Sequence, residues 1–410
     1  MTRAEAQTGA QPASKELIRV LFVSHDTAMF GAQRTLLTLL SAIDRSAISP
    51  LLVVPHDGPL GHAAAELDIP VFIRKRVPWV PVLDGSSGGN RLRHLFRFLR
   101  TLHTRCRALE ELIASHGVEL VYTNTVTCVE GAIAARRTRK PHVWHIHESI
   151  LGNRDLMPLL PYRLLCAAIG FLSRSIIFCS RTVARDYPAL SGKASVVHNG
   201  LPVSPLRNRR AVRSEAEREL GIEAGAKIVA VVSALTPGKD HLTFLAAAEQ
   251  VARRVENAVF LIVGSGSEQY TQTIRRQIAE LCLDSRVRLL GWRDDIQDLL
   301  AAIDVLVISS RQESFGLTAI EALAMEIPVV ATKCGGPEEV VEEGVTGLLI
   351  PVKDPLALAD AIVSLLLDPK LARRLGENGR NHVSEHFGVD RYVHGIQRII
   401  QDTAATKGKS

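Results

Sequence analysis

Short apolar runs alternate with segments of helical period along most of the chain. Ile18–Val23 is one such run, and Ala258–Val263 is another. Strands of a parallel sheet are nearly continuous apolar runs, because helices cover both faces of the sheet. Alternation of these runs with helical segments therefore predicts an α/β fold built on doubly wound parallel sheets. The pattern occurs twice, once on each side of residues 201–216.

The interruption at residues 201–216 is rich in proline and arginine and has no apolar period. A chain of 410 residues exceeds the usual size of a single hydrophobic core. We therefore predict two doubly wound, Rossmann-like domains that face each other across a cleft, at 16–200 and 217–385, with 201–216 as their linker. Residues 1–15 are predicted to form a disordered tail, and residues 386–410 a C-terminal helix that packs back on the first domain.

Residues 309–337 contain the most informative group of polar residues and glycines. Glu313 and Glu321 stand eight residues apart, with a turn at Ser314–Gly316 and an apolar helical run at Leu317–Met325 between and after them. A carboxylate accepts charge-assisted hydrogen bonds, which suits the hydroxyls of a sugar or ribose. The free N–H groups at a helix start suit a phosphate. This segment predicts a site for a nucleotide-sugar.

Three residues elsewhere also fall where ligands bind in open α/β sheets, beyond the carboxyl ends of strands. His147 ends an apolar strand, Gly31 opens a helix after the first strand, and Lys239 lies in a glycine-containing loop after a strand. His145 and His147 fall on one face of their strand. Such a pair could bind a metal, but no third ligand stands at a typical spacing. We predict a ligand contact for His147 and no metal site.

The spacing of the cysteines and the composition of residues 1–15 indicate the cellular compartment. The six cysteines are scattered without a CxxC pair, which disfavours zinc sites and disulfides and suits a reducing cytosol. Residues 1–15 lack the apolar core of a secretory signal. Leu164–Leu172 is too short to span a bilayer and is predicted to be a buried helix. We expect a cytoplasmic protein.

An arginine-rich helical segment at residues 91–107 has six arginines, two histidines and no acidic residue. The net charge of +6 fits an acidic ligand or an anionic membrane surface. One interpretation places the segment on anionic lipid, as a peripheral contact with the inner face of the membrane. The other is a surface helix whose arginines are solvated. No nucleic-acid partner is expected.

These motifs together resemble those of the family 4 glycosyltransferases, which are retaining enzymes of the GT-B fold. The resemblance is strongest over 227–368 and weaker over 18–200. Its most specific part is the E-x7-E motif from Glu313 to Glu321, followed by Gly335–Pro337. The segment Phe30–Arg34 looks like the family's GGAER loop, with Phe30 in place of its first glycine.

The resemblance implies a role for each candidate residue. Glu313 would hold the donor sugar, Glu321 the ribose, and His147 would approach the transferred sugar. Lys239 would bind the diphosphate of the donor. The remaining donor contacts that it implies are the backbone around Gly31, the amides of Gly316, Leu317 and Thr318, and Trp292 and Arg293 near the base.

One position departs from the family pattern. Ala234 stands where the family has an arginine that clamps the diphosphate with the lysine. Loss of a charged hydrogen bond would cost about 1.5–3 kcal/mol of binding free energy. Arg293 or Arg311 could replace the missing charge.

The expected activity is transfer of a hexosyl group, with retention of configuration, from a nucleotide-sugar to a glycan or lipid-linked acceptor, as in polysaccharide biosynthesis. The nucleotide-sugar is a substrate, so no cofactor is expected, and the family implies no need for a metal. Two alternatives stay open. One is a nucleotide-sugar epimerase or phosphorylase of the same fold, and the other is a non-catalytic nucleotide-sugar-binding partner protein, which only Ala234 supports.

Overall fold

The computed structural model describes residues 17–81, 91–151, 153, 156–203 and 209–405. The tail predicted at 1–15 lies outside the described residues.

The N-terminal sheet has seven parallel strands in the order β3-β2-β1-β4-β5-β6-β7. These strands are β1 (Ile18–Val23), β2 (Ile48–Val54), β3 (Val71–Ile73), β4 (Leu120–Thr123), β5 (His142–Ile146), β6 (Ser175–Phe178) and β7 (Ala194–Val196). The helices that join them are α1 (Gly31–Ala42), α2 (Pro59–Glu66), α3 (Arg91–Ser115), α4 (Glu130–Arg137), α5 (Tyr162–Leu172) and α6 (Arg181–Arg185).

The C-terminal sheet has six parallel strands in the order β10-β9-β8-β11-β12-β13. These strands are β8 (Lys227–Val232), β9 (Ala258–Val263), β10 (Val287–Gly291), β11 (Val305–Ile308), β12 (Val329–Thr332) and β13 (Gly347–Ile350). The helices of this half are α7 (Arg209–Glu219), α8 (His241–Arg254), α9 (Glu268–Glu280), α10 (Ile296–Ala302), α11 (Leu317–Ala324), α12 (Pro337–Val340), α13 (Pro355–Leu367) and α14 (Pro369–His386), and the last helix in the described residues is α15 (Val389–Ala405).

In both sheets the order in which strands are added reverses beside the strand that comes first in the chain. The chain leaves β1 toward β2 on one side and later returns to β4 on the other, and β8 stands in the same way between β9 and β11. Such a switch point opens a crevice at the carboxyl ends of the strands, where α/β proteins bind ligands. The prediction of two doubly wound parallel sheets is confirmed.

Helix α7 begins inside the segment predicted as an aperiodic linker. The expectation that the whole of 201–216 is aperiodic is wrong from Arg209 onward, because the chain there is helical. The Arg213 guanidinium donates to Asp304 at 2.9 Å and to Glu217 at 3.0 Å. The pair with Asp304 holds this polar helix against the C-terminal domain, whereas Glu217 lies on α7 itself. Helices depend more on such tertiary contacts than on propensity.

Helix α15 carries the chain back to the N-terminal domain. Ile396 and Ile400 are fully buried in one core with Leu36 of α1. The Tyr392 hydroxyl donates to the carbonyl of Thr35 at 3.2 Å. Since each fully buried aliphatic side chain contributes about 1.5–3 kcal/mol, this helix is a substantial link between the two halves of the chain.

Helix α5 is buried along one face only. Leu165 and Ile169 lie in the core, whereas Leu164 is 57% exposed and Phe171 is 66% exposed. The prediction of a buried helix at 164–172 is therefore wrong for its outer face, because a short apolar run does not reveal which of its residues face a neighbour. Among the helices in the described part of the chain, none combines the length and apolar content needed to cross a membrane.

Candidate functional site

The carboxyl ends of the two sheets face each other across two adjoining cavities. The first, of about 390 Å³, is called the sugar–phosphate cavity after the groups that the sequence predicts to bind there, and it is lined by residues of both domains, among them His25, Gly31, His147, Lys239, Glu313 and Gly316. The second, of about 510 Å³, is called the base cavity, again after the group predicted to bind there, and Trp292 and Arg293 are among its lining residues. Both cavities are lined by Phe30, Gly31, Arg34, Ala234 and Thr318.

Two helix N-termini meet at the boundary of these cavities. A Cβ atom on Gly31, the first residue of α1, would lie 3.0 Å from Leu317 Cδ1, at the start of α11. Gly316 precedes α11 with a φ of 99°, a conformation that favours glycine, and it has no side chain to cap the helix. Leu317 and Thr318, in the first turn, line the sugar–phosphate cavity, and N–H groups of a first turn have no partner within the helix. Such a helix start binds anionic groups.

Glu313 lies in the loop after β11, between the sheet and α11. Its carboxylate forms an ion pair with the Lys239 ammonium and accepts a hydrogen bond from Ser310 Oγ at 3.3 Å. Both partners of the ion pair are partly exposed to the cavity. A neutral hydroxyl group and an anionic group could thus bind side by side, one to the carboxylate and the other to the ammonium.

The Gly335–Gly336 turn fixes the loop that carries Glu313. The Gly336 N–H donates to the Glu313 carbonyl at 2.8 Å, and the Glu313 N–H donates to the Cys334 carbonyl at 3.2 Å. A Cβ on Gly336 would lie 2.3 Å from the backbone nitrogen of Phe315. Only glycine permits this close approach.

His147 follows β5 and points into the sugar–phosphate cavity. The Asn124 amide donates to the Ala32 carbonyl at 2.8 Å, which leaves Asn124 Oδ1 to accept from His147 Nε2 at 3.1 Å. Burial lowers the pKa of His147 to about 4, although Glu148 acts in the opposite direction. His147 is therefore a neutral donor with a fixed ring at neutral pH.

His145, the second choice for this role, lies in the core. Its Nδ1 is 2.6 Å from the Tyr122 hydroxyl, and its side chain is fully buried. It is not among the residues that line the sugar–phosphate cavity. The alternation of the strand places both histidines on one face, but only the residue beyond the strand end reaches the cleft.

Glu321 lies one turn further along α11, beneath Arg34 of the opposite domain. Glu321 Oε1 forms an ion pair with the Arg34 guanidinium, and among the described residues Oε2 has no hydrogen-bond partner. Burial raises the pKa of Glu321, and Arg34 partly offsets this effect. Arg34 lines both cavities, whereas Glu321 is not among the lining residues of either.

Trp292 and Arg293 follow β10 at the rim of the base cavity. The Arg293 guanidinium donates to Asp295 and Glu219, both at 2.7 Å, and these bonds raise its pKa. Arg293 therefore holds α7 against the loop before α10. Its charge is already satisfied by two carboxylates.

Neither arginine suggested to replace the charge missing at Ala234 is among the residues that line the sugar–phosphate cavity. Arg293 is paired as described, and Arg311 donates to Asp240 at 2.9 Å. Arg311 is not among the residues lining the sugar–phosphate cavity, whereas Arg34 is. The guanidinium nearest to this role comes from the N-terminal domain.

Several cavity residues escape sequence prediction. His25 follows β1, Asn199 follows β7, and both line the sugar–phosphate cavity together with Glu148. The Glu148 carboxylate accepts the N–H groups of Val126 at 3.0 Å and of His147 at 3.1 Å, and so fixes the loop after β4. His25, Asn199 and Glu148 all lie just beyond strand ends, and this position is the signal that could have identified them. In the part of the chain that the structure describes, no group of three or more His, Cys, Asp or Glu side chains is arranged to hold a metal ion.

Comparison with known proteins agrees with this geometry. Residues 30–204 match the family described as Glycosyltransferase Family 4, and residues 212–382 match Glycosyl transferases group 1. N-acetyl-alpha-D-glucosaminyl L-malate synthase of Bacillus anthracis is 34% identical over 189 residues, which are 46% of this chain and 49% of that protein. The alignments with this relative and with two Corynebacterium D-inositol 3-phosphate glycosyltransferases each span about half of the relative's length.

Longer alignments extend over both domains. UDP-Gal:alpha-D-GlcNAc-diphosphoundecaprenol alpha-1,3-galactosyltransferase of Escherichia coli is 25% identical over 390 residues, covering 91% of this chain and 96% of that protein. The crystal structure of Anabaena HepE in complex with UDP and glucose superposes with a TM-score of 0.78 at 25% identity, over 93% of this chain and 99% of HepE. The two matched segments and the shared two-domain architecture show that the chain belongs to glycosyltransferase family 4 and has the GT-B fold.

Proposed function

We propose that the protein transfers a hexosyl group from a nucleoside-diphosphate sugar to a glycan or lipid-linked acceptor, with retention of the anomeric configuration. The observation that carries this proposal is the Lys239–Glu313 ion pair, held beside the uncapped start of α11 within a cavity between the domains. This arrangement offers an ammonium and free N–H groups to a diphosphate, and a carboxylate to sugar hydroxyls.

In this proposal the donor lies along both cavities. The diphosphate binds the amides of Leu317 and Thr318 and the Lys239 ammonium. The sugar binds Glu313, and the ribose binds Glu321 after the Arg34 guanidinium moves away from that carboxylate. The base enters the cavity beside Trp292. Support comes from the shared lining of the two cavities, which makes them one continuous path between these groups.

The transfer step breaks the bond between the anomeric carbon and the diphosphate oxygen and forms a bond to an acceptor hydroxyl oxygen. The hydroxyl proton leaves with the nucleoside diphosphate. Negative charge develops on the departing diphosphate, and Lys239 and the start of α11 stabilise it electrostatically. In this scheme the unprotonated Nδ1 of His147 accepts a hydrogen bond from a hydroxyl of the transferred sugar, since burial keeps the ring neutral and its Nε2–H already donates to Asn124. The proposal needs no metal, because these protein groups supply the charge.

The names of the relatives guide the choice of acceptor. The E. coli relative is named for a sugar linked to diphosphoundecaprenol, and the B. anthracis relative for L-malate. The relatives named above are transferases or a synthase, so an epimerase or a phosphorylase is the less favoured alternative. A non-catalytic binding protein would have the same cavities without turnover.

We also propose that the N-terminal domain lies against the inner face of a membrane through one surface of α3. Leu92, Phe96 and Leu99 form an exposed apolar stripe along this helix. The exposed Arg93 and Arg97 lie in the neighbouring row. Apolar side chains flanked by cations suit an interface of anionic lipid, where a lipid-linked acceptor would be found.

Transfer from a panel of UDP-, GDP- and ADP-sugars tests the enzymatic proposal. Purified protein should release nucleoside diphosphate with one of these donors, and NMR of the product should show the configuration of the donor.

Glu313→Ala and Lys239→Ala should each lower turnover by at least about a hundredfold, as loss of preorganised charge does elsewhere. Glu280→Gln and Lys370→Ala, both exposed and remote, are the matched controls. Unchanged turnover in the two site variants would exclude this site, and binding without turnover in the wild type would favour the non-catalytic alternative.

A further inference from the structure

Phe30 and Trp292 contact each other across the cleft between the domains. Phe30 precedes α1 in the N-terminal domain, and Trp292 follows β10 in the C-terminal domain. Their ring centroids are 5.9 Å apart, with an interplanar angle of 87°, an edge-to-face arrangement. Phe30 is 45% exposed and Trp292 is 47% exposed. Two large aromatic rings thus meet while much of their surface remains open to a further group.

This aromatic pair forms one wall of the base cavity, whose volume is about 510 Å³. The charged side chain beside it, Arg293, is already bound to Asp295 and Glu219. Trp292 Nε1 donates to Asp294 at 2.9 Å, which fixes the indole. The wall therefore offers fixed aromatic surface rather than free charge, and such a surface suits a flat heteroaromatic ring.

The base cavity adjoins the place proposed for the diphosphate. Arg34, Ala234 and Thr318 line both cavities. A nucleotide whose diphosphate lies at the start of α11 therefore directs its base toward Phe30 and Trp292.

We propose that Phe30 is a base-binding residue, so that the base of the donor nucleotide packs against an aromatic wall contributed by both domains. The proposal rests on the proposed function, because it needs a nucleotide at the start of α11. Phe30 stands where the resembled GGAER loop has a glycine, which has no ring to offer. Nucleotide binding then holds the two domains together through this residue.

Tryptophan fluorescence can follow this contact directly. The chain has three tryptophans, and Trp79 and Trp144 are buried, so Trp292 is the one that a solute quencher reaches. UDP, GDP and ADP are titrated into the wild-type protein. The nucleotide that binds most tightly should protect Trp292 from acrylamide.

Variants of Phe30 separate the base contact from the rest of the site. Phe30→Ala should weaken binding of that nucleoside diphosphate by about three- to tenfold, the range measured for aromatic pairs. Phe30→Tyr keeps the ring and should bind like the wild type. Phe171→Ala removes another exposed phenyl ring, on α5, and serves as the matched control. Circular dichroism and thermal melting check that each variant is folded.

Inorganic pyrophosphate, measured as a competitor of the nucleotide, carries the diphosphate charge without a base. Its affinity should be the same in Phe30→Ala and the wild type. Equal losses for pyrophosphate and nucleotide would assign Phe30 to the shape of the α1 loop and overturn the proposal. Unchanged nucleotide affinity in Phe30→Ala would overturn it as well, while leaving the proposed function intact. Failure of the wild type to bind any nucleoside diphosphate would instead contradict the proposed function.

Discussion

Arg34 on helix α1 forms an ion pair with Glu321 on helix α11 of the opposite domain. Burial raises the pKa of Glu321, and the guanidinium partly offsets that effect. The ion pair thus joins the two domains at the residue proposed to hold the ribose. Binding of a ribose hydroxyl to Glu321 must displace or share this guanidinium, so the ion pair couples the domain interface to the donor site.

Replacement of Arg34 by glutamine should make the protein less stable, and more so at higher pH. Without the guanidinium the pKa of Glu321 rises further, so folding favours the protonated carboxyl group. The folded state is then fully stable only below the ordinary pKa of 4.5 and loses stability as the pH rises through the raised value. The loss at neutral pH should be about 1.5–3 kcal/mol, as for other charged hydrogen bonds.

Thermal melting of Arg34→Gln and wild type between pH 4.5 and pH 8 measures this effect. The gap in melting temperature should widen with pH. Arg391→Gln, an exposed arginine on α15, should show no such trend. A gap that is constant across this range would mean that Arg34 does not act through Glu321.

Arg34 should also supply the cation that Ala234 does not. It lines both cavities, and it lies beside Thr318, whose amide is proposed to bind the donor diphosphate. Arg34→Gln should therefore weaken binding of the preferred nucleoside diphosphate by about 10- to 100-fold, the equivalent of one charged hydrogen bond. Isothermal titration calorimetry measures this change, and the uncharged nucleoside should bind with little difference.

A second variant tests the same assignment by rescue. Adding Ala234→Arg to Arg34→Gln should recover at least part of the lost affinity, because residue 234 lines both cavities too. Equal losses for the nucleoside and its diphosphate would show that Arg34 supports the shape of the site and does not bind the phosphates.

The two sheets can be predicted from the sequence because both faces of each sheet are buried. The central strands β1 and β8 are almost continuously apolar, because helices cover both sides of them. Helix α7 shows the opposite case. Its residues are mostly polar, and the ion pair that anchors Arg213 to Asp304 joins positions far apart in the chain, so no local pattern indicates it.

One part of the candidate site can be predicted from the sequence, and another part cannot. Glu313, Lys239 and His147 follow strand ends, and the carboxyl edge of a parallel sheet brings such residues together. The contacts of Arg34 with Glu321 and of Phe30 with Trp292 depend on how the two domains face each other. Domain orientation follows from long-range packing, including that of α15, and has no signature in the periodicity of either segment.

Acidic pH should loosen a second contact between the domains, at Glu339 on α12. Burial alone would raise the pKa of Glu339, but hydrogen bonds from His198 and Thr182 and from the backbone of Arg181 and Thr182 outweigh it and lower the pKa to about 2. The stability from this carboxylate is thus fully present above its ordinary pKa of 4.5 and is lost as the pH falls toward 2. Glu339→Gln should cost about 1.5–3 kcal/mol at pH 7.

Comparison of Glu339→Gln with wild type by thermal melting from pH 7 to pH 3 measures this contribution. The gap between them should shrink once the pH falls below 4.5. The exposed Glu280→Gln serves as the control for loss of a surface carboxylate. A gap that does not change with pH would show that the carboxylate charge is not what stabilises this contact.

The α3 surface leads to the last prediction, that the protein sediments with anionic vesicles and not with neutral ones. An arginine near an anionic surface contributes about 1 kcal/mol to binding. Replacing Arg91, Arg93, Arg97 and Arg100 with glutamine should therefore lower the fraction bound to phosphatidylglycerol vesicles by at least about tenfold. The four are all exposed.

A matched variant removes the same number of exposed arginines from α14 and α15, at Arg373, Arg374, Arg391 and Arg398. If both variants lose binding equally, net charge alone explains the attraction and α3 is not the docking surface. If Phe96→Ser and Leu99→Ser together also weaken binding in high salt, where charge is screened, the apolar stripe enters the lipid.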